Sequence, residues 1–318
     1  MLGQLRRNHF LQKSIGLTES SYLVIMNSTG SISQLRKNLK LHRKAGKTVG
    51  LVPTMGNLHD GHIHLVRESL KQNDYTVVSI FINPMQFNPN EDLATYPRSV
   101  DQDKEKLSAA GCDFFFIPSA QEIYPEDINS HTQVIVPDLS DMLCGKTRPG
   151  HFEGVTTIVI KLLNIINPDI AYFGLKDYQQ YLIVKRMTKD LEINTRIVGL
   201  ETIRDAGCLA LSSRNSFLSD IDINKARQLY RSLRDAADAL NRSDLQFSDL
   251  EKQSCKDLRD AGLTPEYFSI CNSTTLEPAT IWNIDFVIVA AVYIGSVRLI
   301  DNIRVSLTDT RQKSRVIE

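Results

Sequence analysis

Two histidines, His59 and His62, stand three positions apart in the stretch Pro53-Thr54-Met55-Gly56-Asn57-Leu58-His59-Asp60-Gly61-His62. An apolar run at 48–52 precedes it, and a helical spacing of apolar residues (Ile63, Val66, Leu70) follows. A strand that ends in a glycine-bearing loop and opens a helix suits phosphate. The helix N-terminus supplies unpaired N–H groups and partial positive charge. A glycine lets backbone come close to a ligand. Imidazoles there add donors that meet charge as it develops during reaction. Histidines at this spacing are common by chance, so it is the strand–loop–helix setting that makes this pair a candidate. A metal reading lacks a third ligand nearby in sequence.

Four other clusters carry polar groups in dense patterns. Gly174-Leu175-Lys176-Asp177 lies between an apolar run and a helical stretch, where a lysine can reach phosphate as a point charge. Leu211-Ser212-Ser213-Arg214-Asn215 puts two hydroxyls, a guanidinium and an amide on one short loop, a set able to clamp a polyphosphate. Asn83-Pro84-Met85-Gln86-Phe87 offers carboxamides, which both donate and accept and suit a small hydroxy acid. Arg148-Pro149-Gly150-His151-Phe152-Glu153-Gly154 precedes an apolar helical stretch and either orders its entry or touches ligand. Each cluster taken alone also reads as a solvated or capped turn. Cys144 reads as an inert small residue.

The elements that must position these loops alternate. Strand patterns at 48–52, 76–82, 113–117, 133–136, 170–173 and 196–200 interleave with helical patterns at 62–72, 100–110, 155–166 and 178–191. A basic helix at 35–44 precedes them. Such alternation predicts a parallel sheet covered on both faces, with ligands outside the carboxyl ends of the strands. The loops 53–62, 83–98 and 174–177 all follow strands and are expected to meet at one edge. The 83–98 loop, with prolines at 84, 89 and 97, is long enough to suggest function. After Arg204 the rhythm changes to helices at 223–241 and 245–261, then strands at 266–271, 284–294 and 297–303. The expected fold is therefore α/β: a Rossmann-like parallel-sheet domain over 26–203 and a smaller α+β domain over 204–309. Residues 1–25 read as a disordered or extraneous extension ahead of a candidate start at Met26, and 310–318 as a frayed tail.

Bulk properties exclude several classes. The 318 residues are 42% hydrophobic and 23% charged, which fits a globular chain of one large or two ordinary domains. Lys+Arg and Asp+Glu both total 37, which argues against a generally basic nucleic-acid binder. Five scattered cysteines with no CxxC pair argue against a disulfide framework or zinc ribbon and point to a reducing cytoplasm. No apolar run approaches the roughly 18–20 residues of a membrane span, and the apolar patch at 22–26 is too short for a signal-peptide core.

Together these segments closely resemble the pantothenate synthetase (pantoate–β-alanine ligase) family of HxGH-type adenylyl-transferring enzymes. The matching pieces run in family order: PTMGNLHDGH at 53–62, VSIFINPMQF at 78–87, YPR at 96–98, RPGHFEGV at 148–155, FGLKDYQQ at 173–180, LSSRN at 211–215 and RLIDN at 298–302. The resemblance implies a two-domain subunit, a homodimer, and a two-step ligation. Pantoate carboxylate attacks the α-phosphorus of ATP to give pantoyl adenylate, and β-alanine then displaces AMP. Mg²⁺ travels with the ATP phosphates. The resemblance assigns His62 as proton donor, with His59 beside it on the phosphates. Met55, Gly56, Asn57, Leu58, His59, Asp60, Gly61 and His62 cradle ATP. Gly174, Leu175, Lys176 and Asp177 hold adenosine and phosphate, with Lys176 neutralising charge. Ile203 meets adenine through its backbone. Leu211, Ser212, Ser213 and Arg214 close over the phosphates. Gln86 and Gln180 bind pantoate, Gln86 also lying near the β-alanine path.

Two positions depart from the family pattern: Leu175 stands where Glu is usual, and Cys208 where Gly is usual. Two alternatives stand beside this reading. One is a related adenylyltransferase that leaves AMP on its product. The other is a catalytically impaired nucleotide-binding homologue.

Overall fold

The computed structural model describes residues 28–89, 91–242 and 246–306, so the expectations for 1–25 and 310–318 lie outside the described residues. Along the first part of the chain run β1 (Ser28–Thr29), α1 (Ile32–Lys44), β2 (Val49–Thr54), α2 (Asp60–Gln72), β3 (Tyr75–Ile80), α3 (Val100–Ala109) and β4 (Phe114–Phe116). Then come α4 (His151–Ile166), β5 (Ile170–Gly174), α5 (Tyr178–Asp190) and β6 (Arg196–Leu200). Alternation along the strands decides how these pack. Leu51, Val77, Phe114, Phe116, Ala171 and Phe173 enter one apolar layer, shared with α1, α4 and α5. Their neighbours Val52, Val78, Phe115, Ile170 and Tyr172 enter a second layer, shared with Ile63 and Val66 of α2 and Leu107 of α3. Strands buried on both faces are those of a covered parallel sheet. The order is β1-β4-β3-β2-β5-β6, every pair parallel. The chain winds outward from β2 in both directions, so the β2/β5 crevice is the topological switch point, where open α/β sheets bind ligands.

The second part holds α6 (Asp220–Arg242), α7 (Phe247–Asp260), β7 (Thr264–Asn272), β8 (Asp285–Ile294) and β9 (Val297–Ser306). Its strands form an antiparallel sheet in the order β7-β8-β9. Phe286, Ile288, Ala290 and Val292 of β8 pack with Leu229, Leu233 and Leu258 of α6 and α7. The opposite side of β8, Val287 and Val289, joins the first apolar layer of the parallel-sheet part, together with Cys271 of β7. The middle strand of the smaller sheet, β8, is thus buried on both faces.

Three elements differ from expectation. Residues 133–136 join no strand among the described residues; the Val134 N–H donates instead to Thr157 Oγ1 at 3.1 Å, so a helix side chain replaces a ladder partner. The buried helix expected at 155–166 begins earlier, at His151, because Gly150 turns the chain at φ 82°. Two-residue β1 carries no readable pattern, yet it pairs with β4.

Helix α4 meets the 83–87 turn at Gly154. A Cβ there would sit 2.5 Å from the Met85 carbonyl carbon and 2.6 Å from the Gln86 nitrogen. Gly154→Ala should therefore cost about 1–3 kcal/mol, the scale of overpacking, and should raise the KM of whatever ligand Gln86 holds. Denaturant unfolding and steady-state kinetics check both outcomes.

Candidate active site

The loop after β2 delivers the two histidines to the switch point as a helix cap. His59 is the N-cap of α2, and its Nδ1 accepts the Gly61 N–H at 3.2 Å. The His59 N–H in turn donates to Nδ1 of His62 at 3.3 Å. This is a capping box made from two imidazoles, with ring centroids 4.0 Å apart. It also explains Gly61, whose absent Cβ would lie 2.9 Å from the His59 ring. The glycine makes room for an imidazole folded back on its own helix, where the sequence alone suggests ligand approach. Since both Nδ1 atoms accept from backbone, the neutral rings carry their proton on Nε2. Burial, then nearby Lys176, lowers the His59 pKa to about 4. Burial, then His59 and Lys176, holds His62 well below its usual range. At neutral pH both rings are uncharged N–H donors.

Ahead of the cap, the chain turns through Asn57 in the left-handed region, at φ 49°. The turn is held from α3 by Asp103, a fully buried residue. Its carboxylate accepts Asn57 N–H at 2.8 Å, Leu58 N–H at 2.7 Å and Ser99 Oγ at 3.1 Å. Lys106 Nζ donates to the Leu58 carbonyl at 2.6 Å. Neither residue stands out in the sequence, where 100–110 looks like a solvated charged helix.

The turn after β5 is held from the second part. Asn302 Nδ2 donates to the Leu175 and Lys176 carbonyls at 2.8 and 2.9 Å. Its neighbour Asp301 takes a two-pronged bond from Arg204 at 2.6 and 2.9 Å. The RLIDN segment thus acquires a structural role that its residue types alone do not reveal. Leu175 is buried in the apolar layer, while Lys176 lies in the cleft 3.6 Å from Asp177. The 211–215 loop reaches across likewise: Ser213 Oγ donates to the Asn57 carbonyl at 3.0 Å, and Asn57 Nδ2 to the Ser213 carbonyl at 3.3 Å. Arg214 is gripped by Asp92 of the 83–98 loop, Nε and Nη2 each 2.9 Å from a carboxylate oxygen.

The third wall is polar at its surface and stitched behind. Gln86 Nε2 donates to Met55 Sδ at 3.0 Å, and Gln86 Oε1 accepts from buried Asn83 at 3.2 Å. Asn83 itself is fixed by the Tyr124 hydroxyl at 2.8 Å and the Gly154 carbonyl at 2.9 Å. The Gln86 carbonyl accepts from His151 Nδ1 at 2.7 Å, so His151 Nε2 is left to accept from Arg148 at 3.0 Å. Burial, then Arg148, lowers His151 to about 3. Adjacent glutamines on α5 diverge: buried Gln179 bonds to Leu139, Met142 and Cys144 backbone, while Gln180 faces the cleft. The Arg148–Gly154 cluster therefore acts mainly by ordering the helix entry and Gln86.

These groups enclose two connected spaces, a deep cavity of about 220 Å³ and a wider cleft of about 960 Å³. His59, His62, Phe81 and Val155 line the deep cavity, and Met55, Gln86, Lys176, Gln180, Ser212 and Arg214 line both or their junction. Ile203 lines the deep cavity too, although its carbonyl is already bonded to Leu211 N–H at 2.9 Å. Asp60 is exposed in the first turn of α2. Among the described residues, no group of three or more His, Cys, Asp or Glu side chains could cage a metal. Cys208 is exposed at φ 70°, in the turn where Leu209 N–H bonds to Asp205 Oδ1 at 2.8 Å. The glycine-like conformation expected there is kept, with a non-glycine residue in it.

Known proteins are similar to this chain in sequence and fold. The sequence profile of the pantoate-beta-alanine ligase family matches residues 27–304. The pantothenate synthetase of Marinobacter nauticus is 47% identical over 281 residues, 88% of this chain and 100% of that protein. That of Shewanella halifaxensis is 48% identical over 282 residues, 89% of this chain and 99% of that protein. The crystal structure of pantothenate synthetase from Thermus thermophilus matches with a TM-score of 0.82 at 38% identity, covering 87% and 99% of the two chains. Pantoate-beta-alanine ligase from Francisella tularensis, complexed with beta-gamma ATP and beta-alanine, matches at TM-score 0.73 and 35% identity, covering 87% and 97%.

Two measurements check the local chemistry. Imidazole ¹⁵N spectra should show His59 and His62 as Nε2–H tautomers above pH 5, with His59 titrating near 4. Between 6.5 and about 4 the unfolded chain binds more protons at His59, so stability falls as pH drops through that window. At Cys208, glycine relieves the left-handed strain, so Cys208→Gly should stabilise the fold by about 0.5–1 kcal/mol in thermal unfolding.

Proposed function

The chain belongs to the pantoate–β-alanine ligase family, and we propose here how its residues divide the work of that ligation. The enzyme condenses pantoate with β-alanine at the expense of ATP, giving pantothenate, AMP and pyrophosphate through a pantoyl adenylate. A carboxylate is a poor acyl donor. In the first step its oxygen attacks the α-phosphorus, and the bond to the bridging oxygen of pyrophosphate breaks. In the second, the β-alanine amine attacks the acyl carbon, the carbon–oxygen bond to phosphorus breaks, and AMP leaves.

Negative charge grows on the α-phosphate and the departing pyrophosphate in the first step, and fixed donors aimed at those oxygens are the main source of acceleration. His62, at the family's proton-donor position, gives phosphate a hydrogen bond from its uncharged Nε2–H, with His59 beside it. The capping box supports this, since it leaves an Nε2–H on each ring. The 55–62 backbone cradles the triphosphate at the α2 N-terminus. Lys176 and Arg214 neutralise charge, and Ser212 and Ser213 close the loop over it. Gly174 to Asp177 and the Ile203 backbone take the adenosine. Gln86 and Gln180 hold the pantoate hydroxyl and carboxylate, and Gln86 also borders the β-alanine path. A magnesium ion would travel with the ATP phosphates, where it would supply further positive charge to the triphosphate. The observation that carries the assignment is the smaller cavity, whose lining holds both histidines and both glutamines.

The protein works as a homodimer in a reducing cytoplasm on this reading. All five cysteines are free, and no helix among the described residues is long and apolar enough to cross a membrane. The domain division at 203/204 falls between β6 and the 211–215 loop that reaches back over the cleft.

AMP release that requires pantoate, β-alanine and ATP together tests the reaction. A related adenylyltransferase would instead keep AMP on its product, and an impaired homologue would release none. His62→Ala should lower turnover by about 10²–10³-fold, the scale of one lost transition-state donor, with a smaller loss of ATP affinity. Turnover near that of the unaltered enzyme would overturn the role of His62.

A further inference from the structure

Arg214 is offered to the cleft from the second part of the chain, yet its side chain is oriented by the first. Asp92, 122 residues away, accepts Nε and Nη2 at 2.9 Å each. The Tyr96 ring lies 5.7 Å from the guanidinium carbon. Both ends of the ion pair are only about a quarter exposed, at 27% and 28%. The carboxylate takes one edge of the planar fork, which leaves the Nη1 hydrogens for a ligand. A long flexible cation held this way has lost its rotamer freedom before any ligand arrives.

The neighbouring residue does the same for a second arginine. Glu91 takes Nε and Nη2 of Arg148 at 2.7 and 2.5 Å, and Arg148 also reaches the Gln86 carbonyl at 3.4 Å. The Glu91-Asp92 pair therefore braces two guanidiniums that line the cleft. One of these cations supports the wall that carries Gln86, and the other lies against the phosphate loop.

We propose that Asp92 is a positioning residue for the ATP-dependent step, fixing the guanidinium of Arg214 in the orientation that meets the polyphosphate. This rests on the reading of Arg214 as a phosphate contact. Asp92 acts through Arg214 and touches no reacting atom.

The test is calorimetric titration of the enzyme with a non-hydrolysable ATP analogue, together with steady-state kinetics, for Asp92→Asn, Asp92→Glu, Arg214→Gln and the Asp92→Asn/Arg214→Gln double variant. Asp92→Asn should weaken the analogue about tenfold, the lower end for loss of a supporting partner. It should raise the KM for ATP in proportion and leave the KM for β-alanine unchanged. Asp92→Glu should recover part of the loss, and the double variant should bind no more weakly than Arg214→Gln alone. Unchanged or tighter binding in Asp92→Asn overturns the proposal, as does an effect that persists in full without Arg214. Equal weakening of all three substrates with a lowered unfolding midpoint marks a merely structural role and overturns it too. If Arg214→Gln itself leaves ATP affinity intact, the phosphate role of Arg214 fails first; if only Asp92→Asn is silent, that role survives and the positioning fails.

Discussion

A single buried carboxylate carries the geometry of the cleft. Asp103 has no contact with solvent, and its oxygens bind the consecutive amides of Asn57 and Leu58. Without it, two N–H groups of a left-handed turn would be buried unpaired, at a cost of about 1–3 kcal/mol each. The turn sets where His59 begins α2, and the cap sets the tautomer of both histidines. The Asn57 carbonyl and amide then receive Ser213, so the second part of the chain docks on a surface that Asp103 has shaped. A carboxylate on one helix thereby fixes the donor atoms of another and the seat of a third segment.

The two halves of the molecule are joined by different physics at different depths. At the base, β8 inserts Val287 and Val289 into the apolar layer beside the parallel sheet. At the rim, the joints are polar and specific: Asn302 on the 175–176 carbonyls, Ser213 on Asn57, Asp92 on Arg214. Apolar burial has little directionality, whereas hydrogen bonds fix register. The base therefore supplies adhesion, and the rim sets the distances between the polar groups that line the cleft.

Much of this is legible in the sequence because the chemistry sits where the pattern changes. Strand-to-helix transitions at 53–62 and 174–177 announce their position at the carboxyl edge, and the strong β-branched run at 76–82 announces the strand between. The supporting residues are not legible, because their signals are those of ordinary surface. Asp103 and Lys106 sit in a charged helix that looks solvated, and Asp92 lies 122 residues from the cation that it orients. Gly61 is visible, but its reason is not: only the folded-back ring of His59 reveals what occupies the space. The extended stretch at 133–136 reads as a strand because its residues favour one, yet a ladder needs a neighbour, and here a threonine of α4 takes that place.

The burial of β8 on both faces bears on how the protein is made. During synthesis the parallel sheet and its helices leave the ribosome first, with part of one apolar layer uncovered until residues 271–289 follow. Domains folding as they emerge expose such surfaces to aggregation. The carbonyls of Leu175 and Lys176 likewise wait for Asn302, near the end of the chain. The turn that follows β5 is therefore completed only when the last strand of the smaller sheet is in place.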